Sequence, residues 1–246
     1  MNNPFSLSGK TILITGASSG IGRGIAVACA SMGAQLILTG RNMARLQETL
    51  ANLEGQGHSY IAADLIDTEE RIALVEQLPA LHGVVHCAGV GSRVPCKMVT
   101  QEDIDHVFHP NTEAPILLQS ELLARKKLQK QSSVVFIASA AATMPSMGNA
   151  VYSASKAAII AYAKCLALEL APRKIRVNCI SPTMVWTELI TESLSEQQLK
   201  EAESNYPLKR FGTPEDIAHL SIYMLSDAST WMTGSNVEIT GGSQIG

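Results

Sequence analysis

The stretch that most constrains the fold is a glycine-rich turn between an apolar run and an alanine-rich helical pattern. Residues 12–14 are apolar and β-branched or leucine, which predicts a strand, and residues 25–28 predict a helix. Between them lies Thr-Gly-Ala-Ser-Ser-Gly-Ile-Gly, residues 15–22. Glycines allow a tight turn and a close approach to the backbone, and a helix N-terminus attracts anions. The stretch therefore predicts a site for the phosphates of a dinucleotide.

Two other interpretations of this stretch stay open at this point. Residues 16–20 also satisfy G-x-S-x-G, the nucleophile elbow of serine hydrolases, with Ser18 as nucleophile and His219 as a candidate partner. An elbow serine ordinarily follows a central strand that comes after several other strands in the sequence, whereas only one predicted strand precedes Ser18. A purely structural turn is the third interpretation, because short glycine motifs produce false matches.

Composition favours one domain with a small-molecule partner. The chain has 246 residues, of which 46% are hydrophobic, and this is enough for one α/β domain with a sizeable core. The formal net charge is −3 and the charges are dispersed, so no basic field is expected for nucleic acid or for an anionic membrane. None of the six histidines has the carboxylate-flanked i, i+4 spacing of a helical zinc site, and no metal is predicted.

Cysteine usage and the first residues predict a cytoplasmic protein. The five cysteines form no C-x-x-C pair and lie mostly in apolar runs, so we expect small buried side chains in a reducing compartment: Cys29, Cys87, Cys96, Cys165 and Cys179. The first ten residues contain no apolar signal core, and no uninterrupted apolar stretch approaches the length of a bilayer span. We therefore expect an unprocessed protein without a membrane segment.

Strand and helix signals alternate along the whole chain. Strands are predicted at residues 12–14, 35–39, 58–62, 83–87, 134–138, 175–180 and 236–239. Helices are predicted between them, with a capping box at residues 100–103, a kink near Asn111 caused by Pro110 and Pro115, and an irregular segment at about 181–211. The alternation predicts a Rossmann-type α/β fold, a doubly wound parallel sheet of about seven strands, in a single domain over residues 1–246.

Tyr152 and Lys156 lie one helical turn apart in Tyr-Ser-Ala-Ser-Lys, so both side chains share one face of a helix. A phenol ordinarily titrates at about pH 10, and a neighbouring ammonium together with a cationic nicotinamide favours the phenolate. Such a tyrosine can donate a proton in one direction and accept one in the other. An exposed tyrosine beside a solvated lysine is the alternative interpretation.

These residues together resemble the short-chain dehydrogenase/reductase family. The resemblance rests first on the spacing of Gly16, Gly20 and Gly22 and on the pair Tyr152 and Lys156. It rests also on Ser139, thirteen positions before the tyrosine, and on Asn111, which lies between the glycine motif and Ser139. It spans nearly the whole chain. In that family the serine binds the substrate carbonyl, the tyrosine transfers the proton, the lysine binds the nicotinamide ribose and the asparagine holds a relay water. The resemblance implies these roles for Ser139, Tyr152, Lys156 and Asn111.

The resemblance also implies a set of cofactor-binding residues: Gly16, Ser18, Ser19, Gly20, Ile21, Gly22, Asp64, Ala88, Gly89, Tyr152, Lys156 and Thr187. Ser18 and Ser19 then become contacts on the phosphate side, Asp64 an adenine contact and Thr187 a nicotinamide-amide ligand. The chain departs from the family at two places, with His86-Cys87-Ala88-Gly89 where Asn-Asn-Ala-Gly is usual and Pro182-Thr183 where Pro-Gly is usual. Neither change removes a reacting group.

Arg41 indicates which nucleotide is preferred. An NAD-dependent enzyme usually offers a carboxylate to the ribose near the end of the second strand, whereas this chain has Gly40 followed by Arg41. Arginine pairs bidentately with a phosphate, so the residue favours NADP(H) over NAD(H). A solvated arginine at a helix start is the alternative.

The expected reaction interconverts a ketone and a secondary alcohol. A 3-oxoacyl thioester is the most concrete substrate, and steroids, sugars and xenobiotic ketones stay open. Residues 183–211 fall where the family places its substrate lid, and Trp186, Met144 and Met147 suit either an apolar pocket or ordinary packing. A carrier-linked substrate would use a basic surface, for which the candidates are Arg125, Lys126, Lys127, Lys130, Arg173 and Lys174. A nucleotide-binding regulator without turnover is the other function considered.

The helix after Tyr152 is apolar nearly all round, from Ala157 to Leu168. Such a helix needs cover on its outer side as well as against the sheet, which indicates a subunit interface. A homodimer or homotetramer is expected, and burial under other segments of the same chain is the alternative.

Overall fold

The computed structural model describes residues 3–191 and 196–243 of the chain. Their strands form one seven-stranded parallel sheet in the order β3-β2-β1-β4-β5-β6-β7. The strands are β1 Thr11–Thr15, β2 Gln35–Gly40, β3 Ser59–Ala62, β4 Leu81–His86, β5 Leu128–Ile137, β6 Arg176–Pro182 and β7 Asn236–Ile239. The helices are α1 Gly20–Ser31, α2 Met43–Ala51, α3 Thr68–Gln77, α4 Gln101–Phe108, α5 Ala114–Ala124, α6 Ala150–Leu170, α7 Glu188–Thr191, α8 Glu196–Ser204 and α9 Pro214–Leu225. The predicted doubly wound fold is confirmed.

The direction of winding reverses at the centre of the sheet. The chain begins at β1, moves outward through β2 to β3, and returns to β4 on the other side of β1 before continuing to β7. Ile14 of β1 accordingly pairs with Leu38 on one side and Val85 on the other. The carboxyl ends of β1 and β4 flank a crevice, which is where open α/β sheets bind ligands.

Helices cover both faces of the sheet, and each face has its own hydrophobic cluster. One cluster joins the sheet to α1, α2 and α9 through residues such as Ile25, Leu46 and Ile217. The other joins it to α3, α5 and α6 through residues such as Leu74, Leu118 and Leu166. Because both faces are covered, the central strands are apolar on both sides, as the sequence indicated.

Local signals placed several helix boundaries correctly. Thr100 and Asp103 form the predicted capping box of α4, and Thr213 forms a second one with Asp216 at the start of α9. The interruption predicted near Asn111 is a π-helical turn, His109–Glu113. Helix α5 ends at Ala124, and β5 begins six residues before the predicted strand.

The prediction that residues 181–211 are irregular is wrong. Helices α7 and α8 lie within this segment, and Trp186 N donates to Gly212 O at 2.8 Å, which closes its two ends against each other. The Trp186 ring packs 5.4 Å from the ring of Phe211, which is fully buried. Helix α8 is rich in Glu and Gln and contains few apolar residues, so the sequence lacked the apolar periodicity that marks a helix. Part of the segment, residues 192–195, lies outside the described residues.

One helical stretch, although Lys156 and Lys164 interrupt its apolar sequence, meets a looser criterion for a bilayer span than an uninterrupted apolar run. By length and composition alone, the helical stretch Ala150–Arg173 is long and apolar enough to cross a membrane. The core helix of a folded domain passes the same test. In this fold α6 packs against the sheet, with Ile159, Ala163 and Leu166 buried in the cluster that also contains Val177 of β6.

Cysteine burial was predicted only in part. Cys29 and Cys179 are buried and Cys87 is half-buried, but Cys96 and Cys165 are exposed. Burial raises the pKa of the Cys29 thiol to about 12, so this thiol stays neutral. Cys165 lies in the apolar run of α6, on the side of the helix that faces away from the sheet.

His86, the last residue of β4, is buried in the middle of the sheet. Its Nε2 lies 3.1 Å from Gln119 Oε1, and its ring stacks on Phe136 with centroids 4.5 Å apart. Burial lowers the pKa of His86 to about 4, and the hydrogen bond with Gln119 opposes this with a smaller effect. The histidine that replaces the family's usual asparagine is therefore a neutral residue of the core.

We expect His86 to make the stability of the fold depend on pH. Above pH 6.5 the imidazole is neutral in both states, whereas between pH 6.5 and about 4 only the unfolded chain takes up the proton. The free energy of unfolding should therefore fall as the pH falls, by roughly 3 kcal/mol over the full range. His86→Asn should flatten this dependence in urea-unfolding curves, and His219→Asn, at an exposed position of α9, should not. A wild-type slope in His86→Asn would contradict the assignment.

Candidate active site

The glycine loop after β1 packs so closely against its surroundings that two of its positions have no room for a side chain. A Cβ at Gly16, whose φ is +65°, would lie 2.8 Å from Ala88 N. A Cβ at Gly22 would lie 2.2 Å from Gly16 O, inside the contact distance of any two atoms. Both glycines are required, because the first turn of α1 lies directly against the loop and the loop against the residues after β4.

The same loop leaves backbone donors unpaired. The Ser19 side chain precedes α1 without capping its first turn. Across the described part of the chain, no acceptor receives the N–H of Ser18 or Ser19. By contrast, α3 is capped by Asp67 and carries Glu69 in its first turn. Free N–H groups and a helix dipole suit the pyrophosphate of a dinucleotide.

Thr15 joins the ends of β1 and β4, a role that its place in the motif did not reveal. Its Oγ1 accepts hydrogen bonds from Cys87 N at 2.9 Å and from Ala88 N at 3.1 Å. Burial raises the pKa of the Cys87 thiol to about 12, although the Lys156 ammonium lowers it somewhat, so the thiol is neutral beside the crevice. The Thr15 hydroxyl therefore fixes the spacing between the glycine loop and Gly89.

Asn111, Gly89 and Lys156 meet at the carboxyl end of β4. A Cβ at Gly89 would lie 2.8 Å from Asn111 Oδ1 and 3.4 Å from Lys156 Nζ. The Asn111 amide is 2% exposed; it accepts from Val90 N at 2.8 Å and donates to Val90 O at 2.9 Å and to Ser155 Oγ at 3.2 Å. Both amide protons are thus used, so a water could bond only to the second lone pair of Oδ1 or to the Asn111 main chain.

Tyr152 and Lys156 lie on one face of α6, as predicted. Lys156 is 7% exposed, its Nζ donates to Ile137 O at 3.0 Å, and Nζ lies 5.8 Å from the centroid of the Tyr152 ring. The Tyr152 carbonyl accepts from Ser155 Oγ at 2.7 Å, which connects the tyrosine to Asn111. Within the described residues the Tyr152 hydroxyl has no hydrogen-bond partner. The phenol is therefore available to a ligand, and a buried ammonium lies close to it.

Ser139 and Thr187 approach the crevice from the ends of β5 and β6. Ser139 Oγ accepts from Ala141 N at 3.1 Å, which leaves the hydroxyl proton without an acceptor in the part of the chain that the structure describes. Thr187 Cγ2 lies 3.1 Å from where a Cβ at Gly20 would be. Arg45 of α2 forms an ion pair of 2.8 Å with Glu188, so the start of the predicted lid lies close to the glycine loop and α2.

Arg41 and Asp64 lie at the ends of neighbouring strands. Ala63 N donates to Gly40 O at 3.1 Å. Since Arg41 follows Gly40 and Asp64 follows Ala63, the backbones of Arg41 and Asp64 are neighbours at the carboxyl ends of β2 and β3. Arg41 is exposed and has no carboxylate partner among the described residues. Asp64 accepts from Ile66 N at 3.0 Å through Oδ1. A free cation and a fixed carboxylate therefore lie at the β2 and β3 end of the crevice.

The hydrolase interpretation finds no support in the contacts of Ser18. Ser18 Oγ lies 3.5 Å from the Cβ position of Gly40, and over the described ranges no hydrogen bond joins it to a histidine. His219 lies exposed on α9.

The basic surface considered for a carrier lies at the amino ends of β5 and β6, away from the crevice at the carboxyl ends of the strands. Two of its side chains, Lys127 and Arg173, donate to the backbone carbonyls of Leu78 and Leu128.

The two departures from the family pattern leave the crevice intact. His86 lies in the core, as described above. Thr183 N donates to Ile239 O, and its Oγ1 donates to Thr240 O, both at 3.3 Å. This threonine ties the residues after β6 to those after β7.

Known proteins resemble the chain over almost its full length. A family model described as enoyl-(acyl carrier protein) reductase matches residues 16–244. L-xylulose reductase of Caenorhabditis elegans is 35% identical over 245 residues, covering 97% of each chain. The 3-oxoacyl-[acyl-carrier-protein] reductase FabG of Rickettsia felis is 32% identical, covering 96% of this chain and 97% of the relative. This chain is a short-chain dehydrogenase/reductase.

A solved structure adds the nature of the cofactor in this family. A putative NAD(P)-dependent gluconate 5-dehydrogenase from Beutenbergia cavernae, solved with bound NADP at low occupancy, superposes with a TM-score of 0.89 at 30% identity, covering 99% of this chain and 100% of that one. Short-chain dehydrogenases/reductases use a nicotinamide cofactor and act on small molecules. The chain is accordingly an oxidoreductase.

Proposed function

We propose that this short-chain dehydrogenase/reductase interconverts a ketone and a secondary alcohol with NADP(H), using Tyr152 as the proton donor and acceptor. The observation that carries the proposal is the convergence of Tyr152, Lys156 and Asn111 at the crevice beside Gly89. The nicotinamide cofactor, when bound, supplies or accepts the hydride. The side chains described below bind the substrate and move the proton.

Tyr152 transfers the proton through its hydroxyl oxygen. In reduction it gives a proton to the oxygen of the substrate carbonyl, and in oxidation it takes one from the alcohol. The Lys156 ammonium, buried and bonded to Ile137 O, favours the negative charge that remains on the phenol oxygen after donation. Lys156 also has donors left for a ribose hydroxyl, because an ammonium carries three protons.

Ser139 and Asn111 complete the proposed catalytic set. The unpaired Ser139 proton can bond the substrate carbonyl oxygen and hold it for protonation. Asn111 holds a relay water behind Lys156, and because its amide protons are already used, this water binds an oxygen atom of Asn111.

The proposed cofactor-binding residues line the crevice in the order of the cofactor's parts. Asp64 and Arg41 lie at the adenosine end, and Arg41 offers its free guanidinium to the 2′-phosphate of NADP(H). The pyrophosphate lies on the glycine loop, in contact with residues from Gly16 to Gly22. The nicotinamide end is bounded by Ala88, Gly89, Tyr152, Lys156 and Thr187.

Tyr152→Phe should abolish turnover and leave cofactor binding nearly intact. Loss of the proton donor should lower kcat by about 10²- to 10⁴-fold, as for other general acids. The dissociation constant for NADPH, measured by fluorescence titration, should stay close to the wild-type value. Tyr162→Phe is the matched control, because Tyr162 lies on the same helix and packs edge-on against Phe136. Equal activity in the two variants would remove Tyr152 from the mechanism.

Arg41→Asp should shift the preference from NADPH toward NADH. Loss of a charge-assisted bond to the 2′-phosphate and gain of a carboxylate should raise the KM for NADPH on the order of 10- to 100-fold and lower that for NADH. Lys130→Asp carries the same change in charge at an exposed position of the opposite sheet edge and should leave the ratio of the two KM values unchanged. An unaltered ratio in Arg41→Asp would show that Arg41 does not read the phosphate.

The proposed chemistry requires a substrate that is a ketone or a secondary alcohol. Residues 183–211 are proposed as the lid over the substrate site. Trp186 is engaged by packing and by a bond of 2.7 Å from Nε1 to Glu203 Oε1, so it supports the lid from within, whereas Met147 is 96% exposed. A screen in reducing buffer that follows NADPH consumption should compare three ketones. L-xylulose and a carrier-linked 3-oxoacyl thioester are the substrates in the names of the two relatives, and a free 3-oxoacyl thioester is the third compound. NADPH binding without turnover on any ketone would favour the silent regulator.

We also propose that the chain is a homodimer or homotetramer in which α6 contributes to the interface. The outward side of α6 carries exposed small or apolar residues, among them Ala157, Ala161, Cys165 and Leu168, the last of which is 79% exposed. A second copy that covers this side removes it from water. Sedimentation of the wild-type chain should give a dimer or tetramer, and Ala161→Arg should shift it toward monomer. A monomeric wild type at micromolar concentration would contradict the assembly.

A further inference from the structure

Thr49, a fully buried residue of α2, lies against the back of the glycine loop. Its Oγ1 lies 2.9 Å from the Ala17 carbonyl and 3.0 Å from the Arg45 carbonyl, and it accepts a bond from Arg23 Nε at 3.0 Å. A hydroxyl has one proton, so it donates to one carbonyl at a time while accepting from the guanidinium. The loop, α1 and α2 therefore meet at a single oxygen atom.

Arg23 contacts the next carbonyl of the same loop. Its Nη2 donates to Ser18 O at 2.6 Å and lies 3.3 Å from Glu48 Oε2. Two consecutive carbonyls, those of Ala17 and Ser18, are thus hydrogen-bonded by side chains of α2 and α1. Neither Thr49 nor Arg23 belongs to the glycine positions of the motif.

The orientation of these carbonyls decides where the loop donors point. In a planar trans peptide the N–H and the C=O point in opposite directions, and within the described residues no peptide is cis. Bonds from Thr49 and Arg23 to the Ala17 and Ser18 carbonyls therefore turn the N–H groups of Ser18 and Ser19 away from α2. These two N–H groups have no acceptor in the described structure, and they lie next to the uncapped N-terminus of α1.

We propose that Thr49 is a positioning residue for the cofactor pyrophosphate: together with Arg23 it fixes the two loop peptides whose N–H groups bind the phosphates. The inference rests on the proposed function and extends it to a residue outside the glycine motif. Thr49 acts through the loop carbonyls and does not touch the cofactor. Because NADPH and NADH share the pyrophosphate, Thr49 affects both equally, whereas Arg41 discriminates between them.

Thr49→Val tests the proposal, because valine keeps the shape and removes the hydroxyl. We expect the dissociation constants for NADPH and NADH to rise by the same factor, about tenfold, with kcat at saturating cofactor close to wild type. Thr49→Ser should restore tight binding. Thr39→Val is the matched control, since the Thr39 hydroxyl is equally buried and has no partner among the described residues. Binding by Thr49→Val as tight as that by Thr39→Val would overturn the proposal.

Two further measurements cover the other outcomes. If Thr49→Val does not fold, Arg23→Met removes the bond to Ser18 O and should weaken the binding of NADPH and NADH by the same factor. Wild-type binding by Arg23→Met would contradict the proposal.

In the cofactor-free protein, the ¹H–¹⁵N chemical shifts of Ser18 and Ser19 should change in Thr49→Val and remain unchanged in Thr39→Val. Unmoved shifts in Thr49→Val would also contradict it. Failure of the wild-type chain to bind either dinucleotide would instead refute the proposed function, and the shifts would still decide whether Thr49 fixes the loop.

Discussion

The close approach of the glycine loop to α1 is the constraint on which the rest of the site depends. No side chain fits at Gly22, because its Cβ would lie 2.2 Å from the Gly16 carbonyl oxygen. The chain therefore turns directly from β1 into α1, and the positive end of the helix dipole points into the crevice between β1 and β4. Gly16 in turn lies against Ala88. These two close contacts bring the glycine loop against the residues that follow β4, next to Gly89.

The positive charge of Lys156, at the end of the site near Gly89, has a free-energy cost of desolvation, and the folded structure holds the charge in place. Lys156 is buried, and its hydrogen bond in the described structure goes to the carbonyl of Ile137 and not to a carboxylate. Removing an ammonium from water without an opposite charge costs several kcal/mol. Packing of α6 against the sheet compensates for this cost. Such an arrangement favours any ligand or neighbouring group that brings negative charge, including the oxygen of Tyr152.

Signals that depend on a few neighbouring residues predicted structure well. The capping box at Thr100 marks the start of α4, and a predicted apolar run overlaps each of the seven strands. Predictions failed where the signal was weak or ambiguous. Helix α8 is too polar to show an apolar period. Exposure of Cys96 and Cys165 depends on which side of the backbone faces the core.

The alternation of strands and helices, the glycine loop and the residue types at the carboxyl ends of the strands can be inferred from the sequence, because each of these has a local pattern. The contacts that hold those residues in place depend on the packing of the elements. Thr15 bonds to the backbone after β4, Thr49 bonds to Ala17, and Asn111 spends its amide on Val90 and Ser155. These bonds join residues that are distant in the chain, and their geometry arises when the elements pack. No spacing along the sequence encodes them.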